Sequence, residues 1–313
     1  MQSGAYTAIV TPFSETGIDY EGLTQLVDFQ AQNGISGILA VGTTGESPTL
    51  SWDEHIETIT RVAEQTKGRC DCIAGAGSNN TKESLNAVEH AAKAGAQGVL
   101  MVDPYYNGPS SLEIRREYLT PAAERFPELT IVPYVIPGRT GAQIFPEDLA
   151  LLYQAHPNVN VVKEATGNLD NMRRTRACCG PDYQIFSGDD GLTFEMMTAD
   201  DIGATGVISV LSNIVPKAVS DMVRHLAAGE VDAAAIIHEA IKPLFGLVTV
   251  TTQETTPLGA VTCRARNPLA IKTLMAILGL PAGFCRRPLG KMTAAGLAKA
   301  LEITQGVYEA HPE

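Results

Sequence analysis

Basic charge is scarce in this chain of 313 residues: 23 lysines and arginines face 35 aspartates and glutamates, a formal net charge of −12. A surface that tracks phosphates needs a basic patch. The longest basic clusters, Arg173-Arg174-Thr175-Arg176 and Arg286-Arg287, are too short to make one, which argues against a nucleic-acid partner. An acidic protein still binds an anionic metabolite, but through a local cation. Long apolar runs are also missing. None approaches the ~18 residues of a membrane span, and Met1–Tyr6 has no basic and apolar leader pattern, so neither membrane nor export is expected. The six cysteines (Cys70, Cys72, Cys178, Cys179, Cys263, Cys285) lack zinc-type spacing and belong to no small disulfide framework, so reduced thiols and a cytoplasmic location are expected. A dinucleotide fingerprint is absent too. The first strand runs into Thr11-Pro12-Phe13, and Gly75-Ala76-Gly77 lacks a third glycine at the right spacing. Asp189-Asp190 find no further ligand at metal spacing and read as helix-capping or supporting groups, so no metal is expected.

What is present is alternation. Hydrophobic residues make up 44% of the chain, enough for a sizeable core. Strands are expected at 6–10, 37–41, 70–74, 99–102, 130–134, 159–163, 184–186 and 206–210. Helices are expected at 19–32, 53–66, 82–94, 112–126, 146–156, 169–177 and 192–202, and Pro216–Ala228 closes the last unit. Eight β–α units in about two hundred residues predict a closed (β/α)8 TIM barrel over roughly 1–225, with an open doubly wound sheet as the alternative. Beyond it, strand signals largely stop. Helical patterns at 231–245, 268–278 and 294–308 predict a helical C-terminal appendage over 226–313, and the Thr-rich stretch 247–263 reads as a long connection.

A barrel gathers its chemistry where strands end, at the C-terminal face. The run Val159-Asn160-Val161-Val162 ends in Lys163 and breaks at Thr166-Gly167-Asn168; of the nine lysines, Lys163 alone ends an apolar strand. A lone strand-end lysine usually snorkels to solvent. Burial instead disfavours the ammonium, and a neutral amine attacks carbonyls. Other strands end in Gly42-Thr43-Thr44-Gly45-Glu46, Asp103-Pro104-Tyr105-Tyr106-Asn107, Tyr134 and Ser187-Gly188, with Arg139 close behind Tyr134. One lysine, two tyrosines and two threonines at one mouth suit Schiff-base chemistry on a keto acid, in which a phenol of high pKa moves protons and no organic cofactor is required.

Three motifs, Gly42-Thr43-Thr44-Gly45-Glu46, Tyr134-x-x-Pro137 and Val162-Lys163-Glu164-Ala165-Thr166-Gly167, together resemble the pyruvate-dependent aldolase superfamily of dihydrodipicolinate synthase and N-acetylneuraminate lyase. The resemblance spans nearly the whole chain. Pro137-x-Arg139-Thr140-Gly141 and the segment 103–107 look most like the dihydrodipicolinate synthases. The resemblance implies a homotetrameric barrel that condenses pyruvate with aspartate semialdehyde on the diaminopimelate route to lysine. Lys163 forms the imine in this scheme. Tyr134 is the proton-relay phenol, linked through Thr44 to Tyr106 from a neighbouring subunit. Thr43 and Thr44 bind the pyruvate carboxylate, Gly188 and Ile208 line the pocket, and Arg139 holds the carboxylate of the aldehyde. Val135 departs from the family's usual Asn, and the Thr-rich connection is longer than usual. Two other readings stay open: a sister aldolase acting on a sugar acid, and a non-catalytic binding barrel.

The same resemblance implies a lysine-binding regulatory site at Ser47, Leu50, Trp52, His55, Asn79, Glu83 and Tyr105, with Pro48 where a small residue is usual. The competing reading is that Trp52 and His55 merely cap the following helix.

Overall fold

The computed structural model describes residues 1–310. Eight parallel strands close a barrel. In chain order they are β1 (Gly4–Ala8), β4 (Gly37–Ala40), β5 (Asp71–Gly75), β6 (Gly98–Val102), β7 (Thr130–Val135), β8 (Val161–Glu164), β9 (Gln184–Ser187) and β10 (Gly206–Ser209), with β1 pairing both β4 and β10. A two-residue-strand hairpin, β2 (Phe13–Ser14) and β3 (Gly17–Ile18), lies between β1 and the first helix. The expected (β/α)8 architecture is therefore borne out.

Strand side chains alternate between the barrel interior and the helical shell. Tyr6, Ala8, Leu39, Ile73, Leu100, Val132, Tyr134, Val161, Phe186 and Ile208 fill the interior. The other parity, including Val135 and Val162, packs against the helices. Lys163 follows Val161 at i+2 and so points inward. It is in register with Tyr134 on one side and Phe186 on the other. Its neighbour Glu164 faces outward, where it accepts hydrogen bonds from Thr166 N (2.7 Å) and Asn171 Nδ2 (2.8 Å). Asn168 then caps the helix Leu169–Cys179 through Asp170 N (3.0 Å), so the break after Lys163 is a helix start.

Three expectations need correction. The segment 112–126 is not one regular helix. A single turn at Ser111–Glu113 widens into a π-helical stretch at Ile114–Leu119 before Thr120–Arg125. Pro121 has no N–H to offer Glu117, and the Glu117 carbonyl takes the Thr81 hydroxyl instead (3.0 Å). The helix expected at 192–202 shortens to Thr193–Thr198 after a 3-10 turn at Asp190–Leu192. The Thr-rich connection is a β-hairpin: β11 (Thr249–Thr256) pairs antiparallel with β12 (Gly259–Arg266) around Pro257-Leu258. Its threonines and valines are β-branched and suit a pleated ribbon. The C-terminal part thus combines a hairpin with the helices Val231–Ile241, Leu269–Ile277 and Ala294–Ala310. Among the described residues, no helix is long and apolar enough to cross a membrane.

Candidate active site

Lys163 is only 4% exposed, and burial pulls its pKa down to about 7; the Asp190 carboxylate opposes that shift and Arg139 adds to it. The Lys163 Nζ lies 4.2 Å from the centroid of the Tyr134 ring. A large fraction of Lys163 is therefore the neutral, nucleophilic amine near neutral pH. Solvent snorkelling is ruled out by the burial.

Tyr134 is also buried, which raises its phenol pKa; Arg139 and a hydroxyl contact with Thr43 act in the opposite sense. The phenol thus stays protonated and can pass a proton to Thr43. The expected link was Thr44, and here the structure differs by one residue. The Thr44 hydroxyl is turned under the loop, where it accepts a hydrogen bond from Asn267 Nδ2 (3.0 Å). Val41 leaves the strand in a left-handed conformation (φ 49°), so strict alternation ends before the two threonines and cannot assign their faces. Gly75 allows that turn: a Cβ on it would sit 2.4 Å from the Val41 carbonyl oxygen.

Gly188 abuts the lysine. A methyl group there would lie 2.8 Å from Ala165 Cβ and 3.1 Å from Lys163 Cε, while its N–H donates to the Glu164 carbonyl (2.7 Å). Ile208 is fully buried in the barrel interior. Arg139 stands at the rim, its Nη2 donating to the Asn267 carbonyl (3.3 Å). Asp190 accepts from Ser209 Oγ (2.5 Å) and Val210 N (2.9 Å), and Asp189 caps Gly191 N (2.9 Å), so both aspartates act as supporting groups. Among the described residues, no three His, Cys, Asp or Glu side chains converge as a metal set. Tyr106 is the one expected member that stands apart: it is 94% exposed on a left-handed backbone (φ 81°).

Thr43, Tyr134 and Arg139 line a cleft of about 410 Å³ that continues past Ser47, Leu50, Trp52, His55, Glu83 and Tyr105. Ser47 Oγ and His55 Nε2 are 3.3 Å apart, and the Trp52 and His55 rings are tilted with centroids 5.3 Å apart. Burial, helped by His90, pulls the His55 pKa down to about 4, so its ring is neutral at neutral pH. Asn79 Oδ1 accepts from Tyr105 N (2.7 Å), and Glu83 accepts from Ser78 Oγ (2.7 Å). The helix Trp52–Thr66 is capped by Ser51 and Glu54, not by Trp52 or His55.

Residues with no role assigned from sequence also reach this region. Asn267 touches both Thr44 and Arg139, and Glu46 forms a fully buried ion pair with Lys272 (2.7 Å). Lys272 is flanked at i−3 and i+3 by the buried Leu269 and Met275, and that position on an apolar helical face was the available signal.

A barrel with a buried lysine, its pKa lowered so that the neutral amine is populated near neutral pH, beside a protonated tyrosine at its C-terminal mouth defines an amine-dependent carbonyl enzyme. The sequence matches the Dihydrodipicolinate synthetase family over residues 1–305, and the chain belongs to that family. It is 40% identical over 309 residues to the 4-hydroxy-tetrahydrodipicolinate synthase of Trichlorobacter lovleyi, covering 99% of each chain. Among solved structures, it is similar to the DHDPS of Cyanidioschyzon merolae with lysine bound (TM-score 0.88, 35% identity, 97% of this chain and 98% of that one). It is also similar to the chloride-inhibited dihydrodipicolinate synthase of Acinetobacter baumannii complexed with pyruvate (TM-score 0.87, 30% identity, 98% of this chain and 99% of that one).

Proposed function

We propose that the chain condenses pyruvate with L-aspartate 4-semialdehyde to 4-hydroxy-tetrahydrodipicolinate through a Schiff base on Lys163. The observation that carries this reading is the buried Lys163 amine over the Tyr134 ring, with Arg139 at the rim. The neutral amine adds to the pyruvate ketone, and loss of water from the carbinolamine leaves a protonated imine. A proton then leaves the pyruvate methyl group, and the resulting enamine carbon attacks the aldehyde. The substrate's own amino group next attacks the imine carbon, closing the ring and releasing Lys163. Tyr134 carries protons in both directions, with Thr43 as its hydroxyl partner. Thr43, Thr44 and the neighbouring backbone hold the pyruvate carboxylate, while Gly188 and Ile208 bound the pocket. Arg139 holds the aldehyde's carboxylate, for which a planar guanidinium is suited.

An exposed tyrosine on strained backbone is costly without a partner surface. Tyr106 accordingly completes the relay of a neighbouring copy in a homotetramer built from dimers. All six cysteines are unpaired, which supports the cytoplasm as the compartment. Turnover of pyruvate with aspartate semialdehyde, and none with N-acetylneuraminate or 2-keto-3-deoxygluconate, is the expected assay result. Preference for a sugar acid would overturn the substrate assignment.

The pH profile follows from Lys163. Below its pKa of about 7 the amine is protonated and inert, so the rate of pyruvate adduct formation rises about tenfold per pH unit up to that value and levels off above it. Rapid-quench borohydride trapping across pH 5 to 9, pH values chosen about two units either side of that midpoint, measures it.

Lysine is the proposed feedback inhibitor, bound in the arm of the cleft at Ser47, Leu50, Trp52, His55, Glu83 and Tyr105, with Asn79 beside it on Tyr105 N. Glu83 and Asn79 offer groups for its ammonium and carboxylate, and the neutral His55 ring meets its side chain. Millimolar lysine lowers turnover, and Glu83→Gln loses most of that response. Unchanged turnover in lysine would remove the site.

A further inference from the structure

The loop that carries Thr43 and Thr44 begins and ends in left-handed, non-glycine conformations, at Val41 (φ 49°) and Glu46 (φ 56°). Such residues persist only where their surroundings over-determine them. At Glu46 the C-terminal region supplies those surroundings. Lys272 Nζ, 1% exposed, donates to Glu46 Oε1 (2.7 Å) and to the Thr11 carbonyl (2.9 Å), while Thr11 Oγ1 donates to the Gly45 carbonyl (2.7 Å). Arg286 N donates to the second Glu46 oxygen (2.8 Å), and its guanidinium holds Glu54 through two 2.6 Å contacts and the Thr49 carbonyl at 3.0 Å. Phe13 packs under both cations, 4.1 Å from Lys272 Nζ and 4.3 Å from Arg286 Cζ. Asn267 fixes the Thr44 hydroxyl.

We propose that Lys272 is a positioning residue for pyruvate binding: its buried ion pair with Glu46 clamps the Thr43–Thr44 loop against the barrel mouth from the C-terminal region. Lys272 touches no reacting atom and acts through Glu46. The proposal rests on the Schiff-base reading, because it assigns the loop to the pyruvate carboxylate. A buried ion pair is weak evidence for stability alone, since an uncharged pair of similar shape often replaces it without loss. Its geometric role is separable for the same reason.

Lys272→Met alone leaves the Glu46 carboxylate buried without a cation and is prone to unfold. The double variant Glu46→Gln/Lys272→Met removes both charges and keeps both shapes. Its thermal melt and its assembly state stay close to wild type. The pyruvate concentration that half-saturates borohydride trapping of Lys163 rises about tenfold or more, as expected for a displaced binding loop. The KM for aspartate semialdehyde stays near the wild-type value, because neither Glu46 nor Lys272 is bonded to Arg139, whose hydrogen bond goes to the Asn267 carbonyl. The pH midpoint of trapping is unchanged, because Lys163 sets it. A folded double variant with wild-type half-saturation would overturn the proposal, as would equal losses for both substrates. A wild-type protein that gives no adduct would overturn the Schiff-base reading itself, and that outcome is read from the wild-type arm alone.

Discussion

Replacing Lys163 by methionine lowers kcat/KM by about 10³-fold or more while leaving the fold intact. Methionine keeps the length of the chain inside the barrel and removes the only group there able to form an imine. Arg139, Thr43 and Tyr134 remain to bind substrate, so the loss falls on kcat. Stability changes in the opposite direction. In the folded chain the Lys163 pKa is about 7, against an ordinary value of 10.5. Between those values the unfolded chain binds more protons, so wild-type stability rises with pH across that window. Below about pH 7 the full penalty of a charged buried amine is present; above about 10.5 it is absent. Lys163→Met therefore melts higher than wild type at low pH, and the difference shrinks as pH rises. Thermal melts at several pH values, set beside steady-state rates, measure both effects.

Tyr134→Phe lowers kcat by about 10² to 10⁴-fold with far smaller changes in either KM, the range expected for loss of a positioned proton donor and acceptor. The ring remains beneath the Lys163 amine and in the inner core, so packing is conserved. Only the phenol is lost, and with it the hydroxyl contact to Thr43. Thr43→Val shares part of the kcat defect. Thr44→Val acts differently, because its hydroxyl meets Asn267 and not the phenol. Steady-state kinetics on the three variants distinguishes the two threonines.

Much of this was legible in the sequence because the physics is local. Period-two alternation from Val161 to Lys163 sets the lysine's direction, and the break at Thr166–Asn168 sets its place at a strand end. The same alternation turns Tyr134 inward. Where backbone leaves the β region, that logic fails: Val41 is left-handed, and the hydroxyl beside the Tyr134 phenol is that of Thr43 and not of Thr44. The Thr-rich stretch was opaque for another reason. Its hairpin turns one face inward, with Val250, Thr252, Glu254 and Thr256 on the first strand and Cys263 and Ala265 on the second. Three of the four inward positions of the first strand are polar, so hydrophobicity does not track burial there and only β-branching marks it. Long-range contacts were least legible. Asn267, Lys272 and Arg286 lie more than two hundred residues from Thr44, Glu46 and Thr49, and only the folded chain brings them together. The C-terminal region is consequently part of the catalytic mouth's construction.

The most direct test of the whole account is borohydride reduction in the presence of pyruvate, followed by peptide mass spectrometry. The account predicts one reduced pyruvyl group per chain, located on Lys163 and absent when pyruvate or borohydride is omitted. An unmodified Lys163 in protein that turns over substrate, or a stable adduct on any other lysine, would contradict it.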